Sequence, residues 1–256
     1  MKNLLVLFLC FVAVSFAVQL FAAEDRTPVV TVLVCEEGDE SIYLAHQKTP
    51  QIITELGREN NWEVVVLSSK KSADFPSVEV LDRTDVLVIY VRRIGLPKEQ
   101  MQRVKKYVKE SGKGLVAIRT ASHGFAPRNL HDGCEDWQEF DQEVLGGNYH
   151  GHGHNDIGSE IWNVKELERS PLMRGVQPSV WHSVGSVYYT TPLAENATVY
   201  QYAGSSEKGR MPLTWTRMYG KTRVAYTALG HKTDFEVPAF KALLRNLVHW
   251  AAGTGQ

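Results

Sequence analysis

Three histidines at alternate positions are the most conspicuous chemical feature of the chain, in the glycine-rich stretch "LGGNYHGHGHND" at 145–156. They are His150, His152 and His154. In a straight strand they would face one way with Cα atoms spread over roughly 13 Å, too far for one metal ion with ~2.0–2.1 Å Zn–N bonds. The glycines between them could bend the backbone and gather them. The stretch therefore favours either a divalent-metal site or a flexible rim from which one histidine serves a pocket.

Polar residues follow each apolar run that predicts a buried strand. They are Glu36, Glu37 and Asp39 after "VVTVLV", Arg92 and Arg93 after "DVLVIYV", Arg119, Thr120, Ser122 and His123 after "GLVAI", and His231 and Asp234 after "RVAYTALG". Ligands of open parallel sheets bind outside the carboxyl ends of the strands. The sequence therefore predicts a shared polar pocket at that edge.

The acidic segment "CEDWQEFDQEVLGG" precedes the histidines. Asp141 or Glu143 could act as a general base or support a histidine. A run of acids more often forms a solvated helix face, and we expect this for most of them.

Covalent catalysis finds little support in the sequence. Arg119, Thr120 and Ala121 stand where an elbow nucleophile would sit, and there is neither a Gly-x-Ser-x-Gly motif nor a Gly-rich phosphate loop. Ser122 beside His123 could form a dyad, although neighbours in sequence rarely point at each other productively.

Strand and helix patterns alternate in the first half of the chain. Strands are predicted at 29–34, 62–67, 85–91 and 114–118. Helices are predicted in "YLAHQKTPQIITELGRENN", where Pro50 could split the helix, and in "LPKEQMQRVKKYVKESGKG". The second half has the strands "EIWNV" and "SVYYTT", the hairpin "LTWTRMYGKTRVAYTAL" and the closing helix "AFKALLRNLVHWAA". These patterns predict an α/β fold with a doubly wound, mostly parallel sheet and a β-rich second half.

The amino terminus has the pattern of a secretory signal peptide. One lysine, an apolar run and small residues predict a signal peptide at 1–23, cleaved after Ala22 or Ala23, and export to the periplasm or the medium. An uncleaved membrane anchor is the alternative, since the run is nearly long enough to span a bilayer. Residues 24–256 are then one domain, without a stable membrane partner if cleavage occurs.

Composition agrees with a soluble globular protein. The 256 residues carry a formal net charge of -1 and are 43% hydrophobic, so no basic excess points to nucleic acid. Cys35 and Cys134 of the mature chain are too few for a disulfide framework, and Cys35 is expected to be a buried small hydrophobe.

Four motifs occur in an order that resembles a known family. "GKGLVAIRTASHGF", "FDQEVLGGNYHGH", "SPLMRGV" and "RVAYTALGH", followed by a helix with "LVHWA", resemble the ThuA-like (trehalose-utilisation) family over residues 29–252. The resemblance implies a flavodoxin-like α/β fold similar to that of class I glutamine amidotransferases, and a role in sugar metabolism. It makes Tyr149 and His152 the aromatic residue and the histidine of the family's Leu-Gly-Gly-x-Phe-x-x-His pattern, and His231 the histidine of its Gly-His.

This chain departs from the family pattern at several positions. Arg119 stands where the family commonly has a histidine, and Gly185-Ser186 replaces an acidic pair before Tyr188. No elbow cysteine is present, which argues against glutamine hydrolysis by the amidotransferase route.

The leading hypothesis is a protein that binds or acts on a sugar or modified sugar by acid–base chemistry. The predicted catalytic residues, which bind or shuttle protons, are His123, His152, His231 and, in support, Asp141. The predicted substrate-binding residues are Arg92, Arg119, Tyr149 and Tyr188. Two alternatives stay open: a metal-dependent hydrolase using His150, His152 and His154 with a divalent ion, and a non-catalytic carbohydrate-binding module.

Overall fold

The fold is built on one nine-stranded mixed sheet. The computed structural model describes residues 26–36, 43–69, 74–154, 157–205 and 209–254. The strands of this sheet are β1 Val29–Cys35, β2 Glu63–Ser69, β3 Val86–Tyr90, β4 Gly114–Ile118, β5 Ser159–Asn163, β6 Val180–Ser183, β7 Thr198–Ser205, β8 Gly209–Tyr219 and β9 Thr222–Thr227. Their spatial order is β2-β1-β3-β4-β9-β8-β7-β5-β6.

The sheet divides into a parallel half and an antiparallel half. β2, β1, β3, β4 and β9 run parallel, and the remaining strands continue from β9 in antiparallel pairs. Every residue of β1, β3 and β4 is buried, which explains their unbroken apolar sequences. The prediction of a doubly wound parallel sheet with a β-rich second half is confirmed.

The described residues form three α-helices that cover the sheet: α1 Ala45–Asn60, α2 Lys98–Glu110 and α3 Pro238–Ala252. The β1–α1–β2 and β3–α2–β4 crossovers step in opposite directions along the sheet, so right-handed connections place α1 and α2 on opposite faces. α3 lies beside α1, since Lys241 pairs with Glu55 and Glu59. Pro50 lies inside α1 and does not split it.

Some local predictions differ from the structure. "SVYYTT" forms only a two-residue strand, Tyr188–Tyr189, which pairs with Gly151–His152 outside the large sheet. The strands β6 and β7 were not predicted. Cys35 is buried at the end of β1, as expected.

The amino-terminal prediction concerns residues that lie outside the described part of the chain. Among the described residues, no helix has the length and apolarity needed to cross a membrane.

Candidate functional site

Loops from separate strands meet at the carboxyl edge of the parallel half of the sheet. A short 3₁₀ helix, Arg119–His123, follows β4 directly. In this helix, the His123 backbone carbonyl accepts a hydrogen bond from the Arg93 N–H at 3.1 Å, and Thr120 Oγ1 donates one to the Val91 carbonyl at 2.8 Å. These bonds hold the loop after β3 against the loop after β4, as the sheet topology predicts.

A cavity of about 600 Å³ opens beside these loops. Arg93 and His123 line it from the two strand ends, and Asp141, Tyr149 and His152 line it from the segment that follows β4. Five predicted site residues therefore share one pocket: His123, Asp141, Tyr149, His150 and His152.

Aromatic rings form one wall of the pocket. The His123 and Tyr149 rings stack at 4.4 Å between centroids with 21° between their planes. Tyr188 lies beneath them, 4.7 Å from Tyr149 and 6.1 Å from His152. Aromatic rings bordered by polar groups can pack against the apolar face of a sugar ring.

His123 is held in a neutral state. Burial, and then the nearby charges of Arg93, Arg92 and Arg119, lower the pKa of its imidazole to about 3. Ser122 Oγ contacts its Nδ1 at 3.1 Å, so the two neighbours do meet. An imidazole that resists protonation is a poor general base, however, and the Ser122 hydroxyl also reaches the Arg119 carbonyl at 3.2 Å. His123 is better placed to bind a ligand than to shuttle protons.

Asp141 is a buried carboxyl group on the pocket wall. It begins a π-helical turn, Asp141–Leu145, and is only 7% exposed, so it does not belong to the solvated face expected for most of the neighbouring acids. Its Oδ2 accepts from the Tyr149 N–H at 2.6 Å, while its Oδ1 is buried without a partner. Burial raises the pKa of Asp141 to about 7, despite the hydrogen bond from Tyr149.

Glu143, the other candidate base, has a structural role. It accepts from Trp137 Nε1 at 2.8 Å and Tyr219 Oη at 2.5 Å, and pairs with Lys109 at 2.9 Å. Burial opposes ionisation, but these hydrogen bonds outweigh it and lower the pKa of Glu143 to about 2. A carboxylate committed to three neighbours is a poor proton acceptor.

Arg119 occupies the elbow after β4 and is almost fully buried. Its φ of +44° is in the left-handed region, which non-glycine residues rarely adopt, and the side chain is 2% exposed. The guanidinium donates to the Ala228 carbonyl at 2.6 Å and lies 4.5 Å from the centre of the Tyr188 ring. Arg119 therefore lies behind the ring wall and does not line the 600 Å³ cavity.

Arg92 and His231 also lie at this edge but outside that cavity. The Arg92 guanidinium lies 6.0 Å from the centre of the Tyr43 ring, and the Arg119 guanidinium lies 5.3 Å from the centre of the same ring. His231 Nδ1 contacts Thr233 Oγ1 at 2.8 Å, and burial lowers the pKa of its imidazole.

The three-histidine strip does not assemble a metal site. The Nδ1 atoms of His150 and His152 each contact a backbone carbonyl at 2.7 Å, from Asn148 and Gly153 respectively. Within the ranges that the structure covers, no three histidine, cysteine, aspartate or glutamate side chains come together to hold a metal ion. Among the described residues, His150, His152 and His154 are not brought together as a set of three ligands.

A second cavity, of about 660 Å³, lies at the opposite edge of the sheet. Asn60 of α1 and Trp250 of α3 line it, and α3 ends against Gly114, the first residue of β4. This is the amino edge of the parallel strands. Its size exceeds that of the carboxyl-edge pocket, but it lacks the buried acid and the histidine wall, so we assign the site to the smaller cavity.

The sequence placed Arg93 in the predicted pocket but did not name it as a substrate-binding residue, and it did not place Tyr43 there. Arg93 follows the same strand end as Arg92, so the same signal applied to both. Tyr43 carries no comparable signal, because it precedes α1 and approaches Arg92 and Arg119 only through the fold.

Comparisons with known proteins agree with this architecture. The family model described as ThuA, trehalose utilisation, matches residues 31–251. No curated protein shows significant sequence similarity to the chain.

Several solved structures share the fold. A ThuA-like protein from Bacteroides uniformis ATCC 8492 superposes with a TM-score of 0.64 at 15% identity, over 88% of this chain and 92% of that one. A ThuA-like protein from Parabacteroides merdae ATCC 43184 gives 0.62 at 18% identity, over 90% and 92%. A β-galactosidase from Bacillus circulans sp. alkalophilus gives 0.56 at 16% identity, over 87% of this chain and 31% of the enzyme.

Proposed function

The chain belongs to the ThuA (trehalose utilisation) family, and from this premise we propose that it binds a sugar in the carboxyl-edge pocket and exchanges protons with that sugar. The family description supports a carbohydrate-related role. The observation that carries the proposal is the position of Asp141, a carboxyl group with a pKa of about 7, beside the stacked rings of His123 and Tyr149. A group that titrates near neutral pH can both accept and donate a proton there.

His152 is the second proton-transfer group of the proposal. Its Nδ1 contacts the Gly153 carbonyl at 2.7 Å, so in the neutral ring Nδ1 carries the hydrogen and Nε2 is left as an acceptor. His152 is exposed and lines the same cavity as Asp141. Together they could serve two positions of one bound sugar, with no covalent intermediate.

Substitution of Asp141 tests the proposal. The protein is incubated in D₂O with a panel of neutral aldoses, ketoses, oxidised sugars and disaccharides including trehalose, and deuterium incorporation and product formation are followed by NMR. Asp141→Asn keeps an oxygen to accept from the Tyr149 N–H, so we expect sugar binding to stay within about threefold while turnover falls ~10²–10⁴-fold. Glu139→Gln, an exposed position of the same segment, is the matched control and should behave as wild type.

The His152→Ala variant tests the second group. Because His152 is exposed, we expect turnover to be lost with a nearly unchanged melting temperature. Wild-type turnover in this variant would remove His152 from the mechanism. Sugar binding without turnover across the whole panel in the wild-type protein would instead favour a non-catalytic binding module.

We also propose that the protein is exported through residues 1–23, which supports a role on sugars outside the cytoplasm. Amino-terminal sequencing of the mature protein from its secretion host should begin at residue 23 or 24. An intact amino terminus in the membrane fraction would identify an anchor instead.

A further inference from the structure

Three arginines meet at the candidate site without a described acidic partner. Within the parts of the chain that the structure covers, no carboxylate forms an ion pair with Arg92, Arg93 or Arg119. The Nε atoms of Arg92 and Arg119 are buried and have no hydrogen-bond partner. Arg93 Nη1 donates a long hydrogen bond, 3.4 Å, to the Ala126 carbonyl.

Mostly neutral groups surround the most buried of these charges. The Arg119 guanidinium faces the Tyr188 and Tyr43 rings, the Ala228 and Ser186 carbonyls and the Ser186 hydroxyl. The buried carboxylate of Asp234 acts on Arg119 electrostatically, while its own hydrogen bonds come from the Gly230 and His231 N–H groups and from Ser183 Oγ at 2.6 Å. Ring faces and carbonyls stabilise a cation without neutralising it.

The positive charge reaches the pocket itself. Arg93 lines the cavity, and the charges of Arg93, Arg92 and Arg119 all act on the His123 imidazole in its wall. Asp141, the described acid that lines the same cavity, is buried and offers little compensating charge near neutral pH. Arginines clustered at a pocket favour an anion, because guanidinium groups form charge-assisted hydrogen bonds with carboxylates and phosphates.

We infer that the sugar bound in this pocket is anionic, carrying a carboxylate or phosphate group that Arg93 holds while its ring lies on Tyr149. Arg92 and Arg119, which lie outside the cavity, contribute fixed positive charge beside it. The inference rests on the proposed function and adds the substrate class to it.

Matched neutral and anionic sugars test the inference by isothermal titration calorimetry at low salt. The sets are glucose, glucuronate and glucose 6-phosphate, and galactose and galacturonate. We expect at least one anionic member to bind about tenfold or more tightly than its neutral partner, with affinity falling as salt is added. The stronger binder of glucuronate and glucose 6-phosphate distinguishes the carboxylate from the phosphate source.

Arginine variants locate the effect. Arg93→Gln should lose about tenfold in affinity for the anionic sugar and less than about threefold for the neutral one. Arg92→Gln, which removes a charge outside the cavity, should lose less affinity for the anionic sugar than Arg93→Gln does. Arg169→Gln, which removes an exposed positive charge from the loop after β5, should stay within about twofold of wild type. Circular dichroism and the melting temperature establish that each variant is folded.

The outcomes separate this inference from the proposed function. Neutral sugars that bind as tightly as their anionic partners would overturn the inference and leave the proposed function standing. Absence of binding by every sugar of these sets and of the wider panel, trehalose included, would overturn both. Anion preference unchanged in Arg93→Gln would also refute the assignment to Arg93.

Discussion

The pH dependence of stability at Asp141 provides the sharpest physical test of the site. An ordinary aspartate ionises near 3.8, whereas burial raises the pKa of Asp141 in the folded protein to about 7. Between these two values the folded protein keeps a proton that the unfolded chain has lost. The contribution of Asp141 to the free energy of unfolding is therefore fully present below pH 4 and is lost as the pH rises to 7.

The size of the effect follows from the same values. At about 1.4 kcal/mol for each pH unit, ionisation of Asp141 costs the folded state roughly 4 kcal/mol by pH 8, as an order of magnitude. The side chain is 7% exposed, so solvent screening reduces this little. Asp141→Asn cannot ionise and retains an acceptor for the Tyr149 N–H.

Urea unfolding from pH 4 to pH 8 measures the prediction. We expect Asp141→Asn and wild type to have similar free energies of unfolding near pH 4, and the variant to become progressively more stable than wild type by pH 8. Asp132→Asn, an exposed control, should track wild type throughout. A constant difference between Asp141→Asn and wild type across this range would refute the burial argument.

Three further predictions concern residues packed around the pocket. Burial and nearby arginines lower the pKa of His123 to about 3, so the folded wild type loses stability as the pH falls below 6.5. In urea unfolding, His123→Gln should therefore become more stable relative to wild type between pH 6.5 and pH 4. Parallel pH profiles of the two proteins would contradict this. A Cβ at Gly147 would lie 2.8 Å from Asp141 Oδ1. Gly147→Ala should therefore lower the free energy of unfolding by about 1–3 kcal/mol in the same assay. An unchanged free energy of unfolding would show that the site relaxes freely. Trp215 Nε1 donates to the buried Leu145 carbonyl at 2.8 Å. Trp215→Phe should lower the free energy of unfolding by about 1–3 kcal/mol and reduce the melting temperature. Full retention of stability would mean that water replaces the donor.

The sequence was sufficient to predict the carboxyl edge of the parallel sheet. The run at 114–118 matches β4 residue for residue, and the polar residues after β3, β4 and β9 lie at one edge because parallel strands end together. Local apolar patterns and a general topological rule carry this part of the fold.

The electrostatics of the site could not be predicted in the same way. Asp141 is one acid among several in a row, and only the π-helical turn and the close approach of Gly147 bury it beside Tyr149. Arg119 looked like a ligand-gripping residue, but Tyr188 and Ala228, distant in sequence, enclose its guanidinium. These environments depend on contacts between residues far apart in the chain.

A crystal structure of the protein soaked with neutral and anionic sugars tests the central assignment most directly. We predict a sugar ring against Tyr149 in the carboxyl-edge pocket, within hydrogen-bonding distance of Asp141 or His152. A sugar bound instead in the cavity between Asn60 and Trp250, with the carboxyl-edge pocket holding only water, would contradict it.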